Sequence, residues 1–279
     1  MNVWTAFLMC SQLWVALSEP IRGYNLFGLE TDLRNIDCSW LHPPEYYISQ
    51  LHQAGFTDIR LPFSIQYVDE GDYSAMDHVF DVVAQHQPCN ITLDVHRVYT
   101  SHQGPDPTEG GMSLTRYTDA ISVLLSRYQH YPFLTGIDVF NEYQGIDTNF
   151  WNSQLEAITG KIEEKYPGRF LYFCGGGRWG GSLAGIDIEH VPWNASVRYT
   201  IHKYVFSGNS VESDWDYSFG THHNKTSVGE WGFFSERPDQ VAWANRFVNW
   251  LIKNGIRDNF FWTTVSSSGD TGGLFKDCE

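Results

Sequence analysis

The sequence predicts an α/β chain folded as a single (β/α)8 barrel. Three observations carry that prediction: eight short β-type apolar runs, helical spacing between most of them, and a length that suits one barrel. The runs are Arg22 to Leu29, Asp58 to Ser64, Ile91 to Arg97, Gly136 to Glu142, Arg169 to Cys174, Val197 to Tyr204, Thr226 to Glu230 and Asn259 to Val265. Their starts lie roughly 28 to 45 residues apart, the length of a strand plus a returning helix rather than of a hairpin. With 279 residues and 42% apolar content the chain can bury one large core, and single α/β barrels commonly take about 250 residues.

Between the runs, Pro43 to Phe56, Ser74 to Gln87, Leu114 to Tyr131, Phe150 to Tyr166 and Asp239 to Asn254 show helical spacing, as in Val79, Val82 and Val83 or Val241, Phe247 and Leu251. Pro44 and Ser113 suit helix starts, and Gly55, Gly168 and Gly255 suit stops. The connections Gly175 to Ser196 and Val205 to Lys225 lack that spacing and are rich in Gly, Ser, Asp and His. The fifth and sixth helices are therefore expected to be degenerate, with these connections forming much of the cleft wall. The eighth helix is expected to be missing or replaced, because the sequence stops at Glu279 soon after the eighth run. The flank of strands one and eight then needs another cover.

Residues 1–18 contain an apolar stretch, Trp4 to Leu17, with small residues at its end. It reads as a secretory signal, leaving 19–279 as the catalytic domain; the alternative is an N-terminal helix packed on the barrel. Without that stretch Cys38, Cys89, Cys174 and Cys278 remain, an even number that permits disulfides without specifying a pairing. Three glycosylation sequons, at Asn90, Asn194 and Asn224, each lie just before a predicted strand. That places them on the rim opposite a barrel's catalytic mouth and agrees with an extracellular location.

A net charge of −15 without any basic run argues against nucleic-acid or membrane partners. The expected partner is a neutral glycan, bound by a monomer. The 16% aromatic content, with eleven Trp and fifteen Tyr, suits a cleft that stacks on sugar faces, and equally a large core. The eleven His show no zinc-ligand spacing, and Gly175-Gly-Gly177 lacks the Lys-Ser of a phosphate loop. Neither a metal nor a cofactor is expected.

The chemistry is carried by Glu142 and Glu230, each closing an apolar strand: Ile137-Asp-Val-Phe-Asn-Glu142 and Thr226-Ser-Val-Gly-Glu230. An unpaired carboxylate there is costly, so its retention points to function. Two carboxyl groups at strand ends fit the cleavage of a glycosidic bond, one protonating the leaving oxygen and the other meeting the cation-like sugar carbon.

From Ile21 to Asp277 the chain resembles glycoside hydrolase family five, the retaining cellulase-like barrels. The matching residues are Arg60 in Ile-Arg-Leu-Pro, His96 in Leu-Asp-Val-His-Arg, Asn141-Glu142, His202-Lys-Tyr204, Gly229-Glu230 and Trp262 in Phe-Phe-Trp. The stretches from Trp179 and from Ser268 look like the endo-1,4-β-glucanase branch, which implies cellulose-type β-glucan as substrate; xyloglucan, mannan or β-1,3-glucan, or binding without cleavage, are the alternatives. The resemblance implies Glu230 as nucleophile and Glu142 as acid/base. It further implies Arg60 and Tyr204 as donors to Glu230, Asn141 at the sugar 2-hydroxyl, His96 and His202 at neighbouring hydroxyls, and Trp262 as stacking floor. Trp179, and more weakly Trp231 and Trp40, would flank. The chain departs from the family pattern at Tyr143, where Pro is usual, and at Thr264, where a second Trp is common.

Overall fold

The structure, a computed structural model, describes residues 20–86, 89–205 and 211–279. Strands β1 (Arg22–Asn25), β2 (Asp58–Ser64), β3 (Asn90–Arg97), β4 (Leu134–Asp138), β5 (Leu171–Gly175), β6 (Val197–Tyr204), β7 (Thr226–Gly232) and β8 (Asn259–Phe261) close a parallel barrel in chain order. The seal is the β8–β1 pairing of Phe260 with Gly23. Outside it run α1 (Pro44–Gln53), α2 (Ile65–Glu70), α3 (Ser74–His86), α4 (Leu114–Tyr128), α5 (Thr148–Lys165), α6 (Glu212–Ser218) and α7 (Pro238–Lys253).

Local chemistry explains the helix ends. Pro44 opens α1, the Ser113 hydroxyl accepts the Arg116 N–H at the start of α4, and the three glycines expected as stops all take positive φ. Helix α2 was not legible in the sequence because six residues cannot show a period. It is capped by the Ser64 hydroxyl on the Tyr67 N–H and stopped at Gly71.

Among the described residues, no α-helix follows β5 directly, α6 is only seven residues long, and β8 is followed by short 3-10 turns. The short or absent helices after β5 and β6, and the 3-10 turns after β8, agree with the sequence expectation for the described residues. Strands β1 and β8 are shorter than the sequence predicts. The Asn25 carbonyl accepts the hydroxyls of Thr263 and Thr264 at 2.6 and 2.7 Å as well as the Thr264 backbone N–H at 3.1 Å. Outward-facing Tyr24 then packs on Phe56, and Phe261 packs on Trp231 and Phe233. The stretch Trp4 to Leu17 lies outside the described residues.

The segment after β8 is tied down by a disulfide between Cys38 and Cys278, 240 residues apart in sequence, while Cys89 and Cys174 are buried free thiols. A bridge closing so long a loop removes much unfolded-state entropy, typically 2–5 kcal/mol of stability. Cys278→Ser is expected to lower the denaturant midpoint by an amount corresponding to about 2–5 kcal/mol. An unchanged midpoint would show that the bridge adds nothing.

Inside the barrel, Phe173 and Phe260 meet edge to face at 6.3 Å and plug the lumen. Gly23 is required beside them, since a Cβ there would come within 2.1 Å of the Phe260 ring. Further toward the strand C-termini the lumen turns polar, with Asn25, Arg60, Asp94 and Asp138 all essentially inaccessible to solvent.

Candidate active site

The polar lumen opens into a cleft of about 750 Å³ lined by His96, Asn141, Glu142, Trp179, His202, Tyr204, Glu230 and Trp262, among others. Of the nine residues expected to act on substrate, only Arg60 lies beneath this lining rather than in it. Glu230 sits in β7, paired with His202 of β6 across a register shift. Glu142 lies four residues beyond the end of β4. Its segment remains anchored, because the Val139 N–H donates to the Phe173 carbonyl and the Asn141 N–H to the Val95 carbonyl, both at 3.0 Å.

The two carboxyl groups face each other, and an oxygen of each lies within 4.8 Å of the other and of a His202 nitrogen. Their surroundings differ. Arg60 Nη1 donates to Glu230 Oε1 at 2.7 Å and the Tyr204 hydroxyl donates to Oε2 at 2.8 Å. Burial pushes the Glu230 carboxyl up, and the Arg60 guanidinium pulls it back toward the ionised form. Burial and the neighbouring Glu230 hold the Tyr204 hydroxyl well above its ordinary range, so it stays a donor.

Glu142 has no such cation in hydrogen-bond contact. Its oxygens meet the Gln103 amide at 2.7 Å and His202 Nδ1 at 2.8 Å, and burial raises its pKa. Both His96 and His202 are pushed down to about 4, chiefly by burial, and are neutral near pH 7. One proton lies on the contact between His202 and Glu142, whichever of the two atoms owns it. Gly229 has to be glycine, because a Cβ would stand 2.9 Å from His202 Nε2.

His96 is stacked on Trp262, with ring centroids 5.3 Å apart, and both of its nitrogens are already engaged. Nδ1 meets Asp94 Oδ2 at 2.6 Å and Nε2 accepts from Asn141 Nδ2 at 3.1 Å. Trp262 exposes only 6% of its surface, whereas Trp179 exposes 54% and stands beside Arg178, both at positive φ. Trp231 points out of the barrel, the opposite way from Glu230, as strand alternation requires; it packs against Phe233, Phe247 and Phe261. Trp40 is exposed and does not line the cleft.

Several site residues escaped the sequence reading: Gln103, Lys203, Tyr217 and the buried pair Asp94 and Asp138. Asp94 was within reach, since it lies two positions before His96 and so shares its face. Lys203, held by the Gly181 carbonyl and pushed down to about 8 by burial, and Gln103, delivered by a long loop, carry no local signal. Glu142, His202 and Glu230 form the one cluster of metal-type ligands among the described residues. Both Glu230 oxygens already accept hydrogen bonds and Arg60 stands against it, an arrangement suited to proton transfer rather than to a cation.

A closed parallel barrel with two unlike carboxyl groups across its C-terminal mouth is the geometry of a two-carboxylate glycosidase. The chain belongs to glycosyl hydrolase family 5, the cellulase family, whose sequence model matches residues 17–267. It is similar to the major extracellular endoglucanase of Xanthomonas campestris pv. campestris, 24% identical over 92% of this chain, although it spans only 64% of that protein's length. It is also similar to an endoglucanase of Paenibacillus polymyxa, 24% identical over 91% of this chain and 78% of the relative. Its fold matches that of an endocellulase from Pyrococcus horikoshii solved with cellotetraose, with a TM-score of 0.82 at 23% identity over 93% of this chain and 88% of that one.

Proposed function

We propose that this protein hydrolyses cellulose-type β-1,4-glucan with retention of configuration, using Glu230 as nucleophile and Glu142 as acid/base. The observation that carries the reading is the carboxyl separation, with oxygens within 4.8 Å. Retaining pairs stand about 5–5.5 Å apart, while inverting pairs leave about 6.5–9.5 Å for a water. In the first step Glu142 gives its proton to the glycosidic oxygen as the bond to the sugar carbon breaks, and Glu230 forms an ester with that carbon. Loss of the Glu230 charge lowers the pKa of Glu142, which then takes a proton from water as the water displaces Glu230. Asn141, whose Oδ1 is fixed by Arg60 at 2.7 Å, presents its amide toward the sugar 2-hydroxyl. Trp179 and Trp262 offer apolar faces to neighbouring rings.

Extracellular action is part of the same reading. It is supported by the disulfide, by the family match beginning at residue 17, and by the relative described as extracellular. All three sequons lie at the N-terminal ends of strands, with Asn224 exposed and the amides of Asn90 and Asn194 hydrogen-bonded to Asp58 and Glu189. Asn224 is therefore the acceptor most open to glycosylation. The test of function is release of reducing ends from a soluble cellulose derivative, mannan and xyloglucan, with product anomers read by NMR. The β-glucan is expected to be cut fastest and to yield the β-anomer first; an initial α-anomer rules out the retaining pair.

A further inference from the structure

We propose that the floor of this site holds one resident proton, shared by the neighbouring carboxyls of Asp94 and Asp138, and that this proton leaves the Arg60 guanidinium free to keep Glu230 ionised. Asp94 and Asp138 are register partners on β3 and β4, both fully enclosed. Asp138 Oδ2 accepts from Arg60 Nε at 3.1 Å and Nη2 at 3.0 Å, and Asp94 Oδ1 stands 3.0 Å from the same Nη2. With Glu230 on Nη1, three carboxyl groups crowd one guanidinium. If all were ionised, two negative charges would be left uncompensated in a region closed to solvent, a state that burial strongly disfavours.

No other charged side chain facing the pair relieves that charge, although the Phe140 backbone N–H favours the ionised form of Asp138. His96 and His202 are neutral near pH 7, as described above. The Tyr117 hydroxyl of α4 donates to the Val139 carbonyl, and the Cys174 thiol of β5 faces the Tyr172 carbonyl. Lys203 is bound to the Gly181 carbonyl. Glu142 adds negative charge toward Asp94. The pair also has a place for a proton, because Asp138 Oδ1 accepts no side-chain hydrogen bond, whereas Asp94 Oδ1 stands against Arg60 Nη2. Asp94 Oδ2 is committed to the His96 N–H, so Asp138 is the favoured carrier. Burial pushes both carboxyls up, Arg60 pulls them back, and Asp94 raises Asp138 further.

Asp138 is thus a positioning residue, acting on the nucleophile through Arg60. The experiment is the dependence of melting temperature on pH for the wild type and Asp138→Asn. A carboxyl whose pKa is raised in the folded state contributes stability that is complete below its unfolded pKa and is lost as pH rises through the folded value. Between about pH 6.5 and 8 the histidines of the unfolded chain and Lys203, pushed down to about 8, titrate in both proteins, so the resident proton is read as the difference between the two slopes. The wild type is expected to lose more melting temperature over that window than Asp138→Asn does, the difference between the two being the share of the resident proton.

A second measurement needs no change in the pair. Glu142→Gln protein labelled with ¹³C in its aspartate carboxyls is expected to show the infrared band of a protonated aspartate at pH 7. Parallel melting slopes for the two proteins, or a labelled spectrum without that band, overturn the proposal. The inference rests on the hydrolase reading only for its catalytic consequence. Neither measurement uses substrate, so a failure here is distinct from a failure of that reading.

Discussion

Glu230→Ala is expected to lower kcat on β-1,4-glucan on the order of 10⁵-fold while leaving the protein folded. The size follows from what the residue does: without it no glycosyl ester forms, and only binding and positioning remain to accelerate water's attack. The fold survives because Arg60 keeps Asp94 and Asp138 as partners. Removing one of three carboxyls around a single buried guanidinium also relieves repulsion, so the melting temperature is expected to stay level or rise, the usual trade between an active site and stability. Azide added to the variant can occupy the vacated space and attack the sugar carbon from that face, giving an α-glycosyl azide. Initial rates, a thermal melt and the anomer of the azide product check the three parts. Unchanged turnover moves the nucleophile elsewhere.

The response to Glu142→Ala should be of a different kind, because this residue supplies a proton rather than a bond. On natural glucan the loss is expected to be about 10²–10⁴-fold, the range of general acid–base catalysis. On an aryl glycoside whose leaving group departs without protonation, the first step should be nearly intact and the ester should accumulate. Azide then restores turnover and yields the β-glycosyl azide, since the covalent intermediate has already inverted once. The pH profile supplies a further check. In the wild type kcat/KM must fall as pH rises through the raised pKa of Glu142, because the acid form is lost there. In the variant that alkaline limb should vanish. If azide fails to rescue and the limb persists, Gln103 and His202 are holding some other group's proton.

The barrel was legible because its strands are buried on both faces and read as apolar runs, and because Glu142, Glu230 and His202 lie at or near their C-terminal ends, with Arg60 lower in β2. The limits of that reading are equally physical. Strand ends were overestimated at β1 and β8, where the Asn25 carbonyl is shared between the Thr264 backbone N–H and the hydroxyls of Thr263 and Thr264, residues remote from it in sequence. Trp231 looked like a subsite candidate by its proximity to Glu230, when alternation along β7 turns it outward. His96 lines the cleft as expected of a site residue, and its nitrogens also meet Asp94 on the same strand and Asn141 beyond β4, a division no local pattern reveals. Tyr143, read as a departure on the leaving-group side, stacks on Trp151 at 4.5 Å and accepts the Trp179 N–H on its carbonyl. It thereby holds the exposed tryptophan in place by a route no local pattern reveals.

The Cys38–Cys278 bridge also determines how the molecule would respond to a protease. Nearly the whole barrel lies between the two cysteines, so a single cleavage in any intervening surface turn opens a covalent circle rather than producing two fragments. The pieces remain tethered at the seam where the first and last strands meet, and their packed interface can hold the catalytic residues in register. Such a nicked enzyme should migrate as one band until the bridge is reduced.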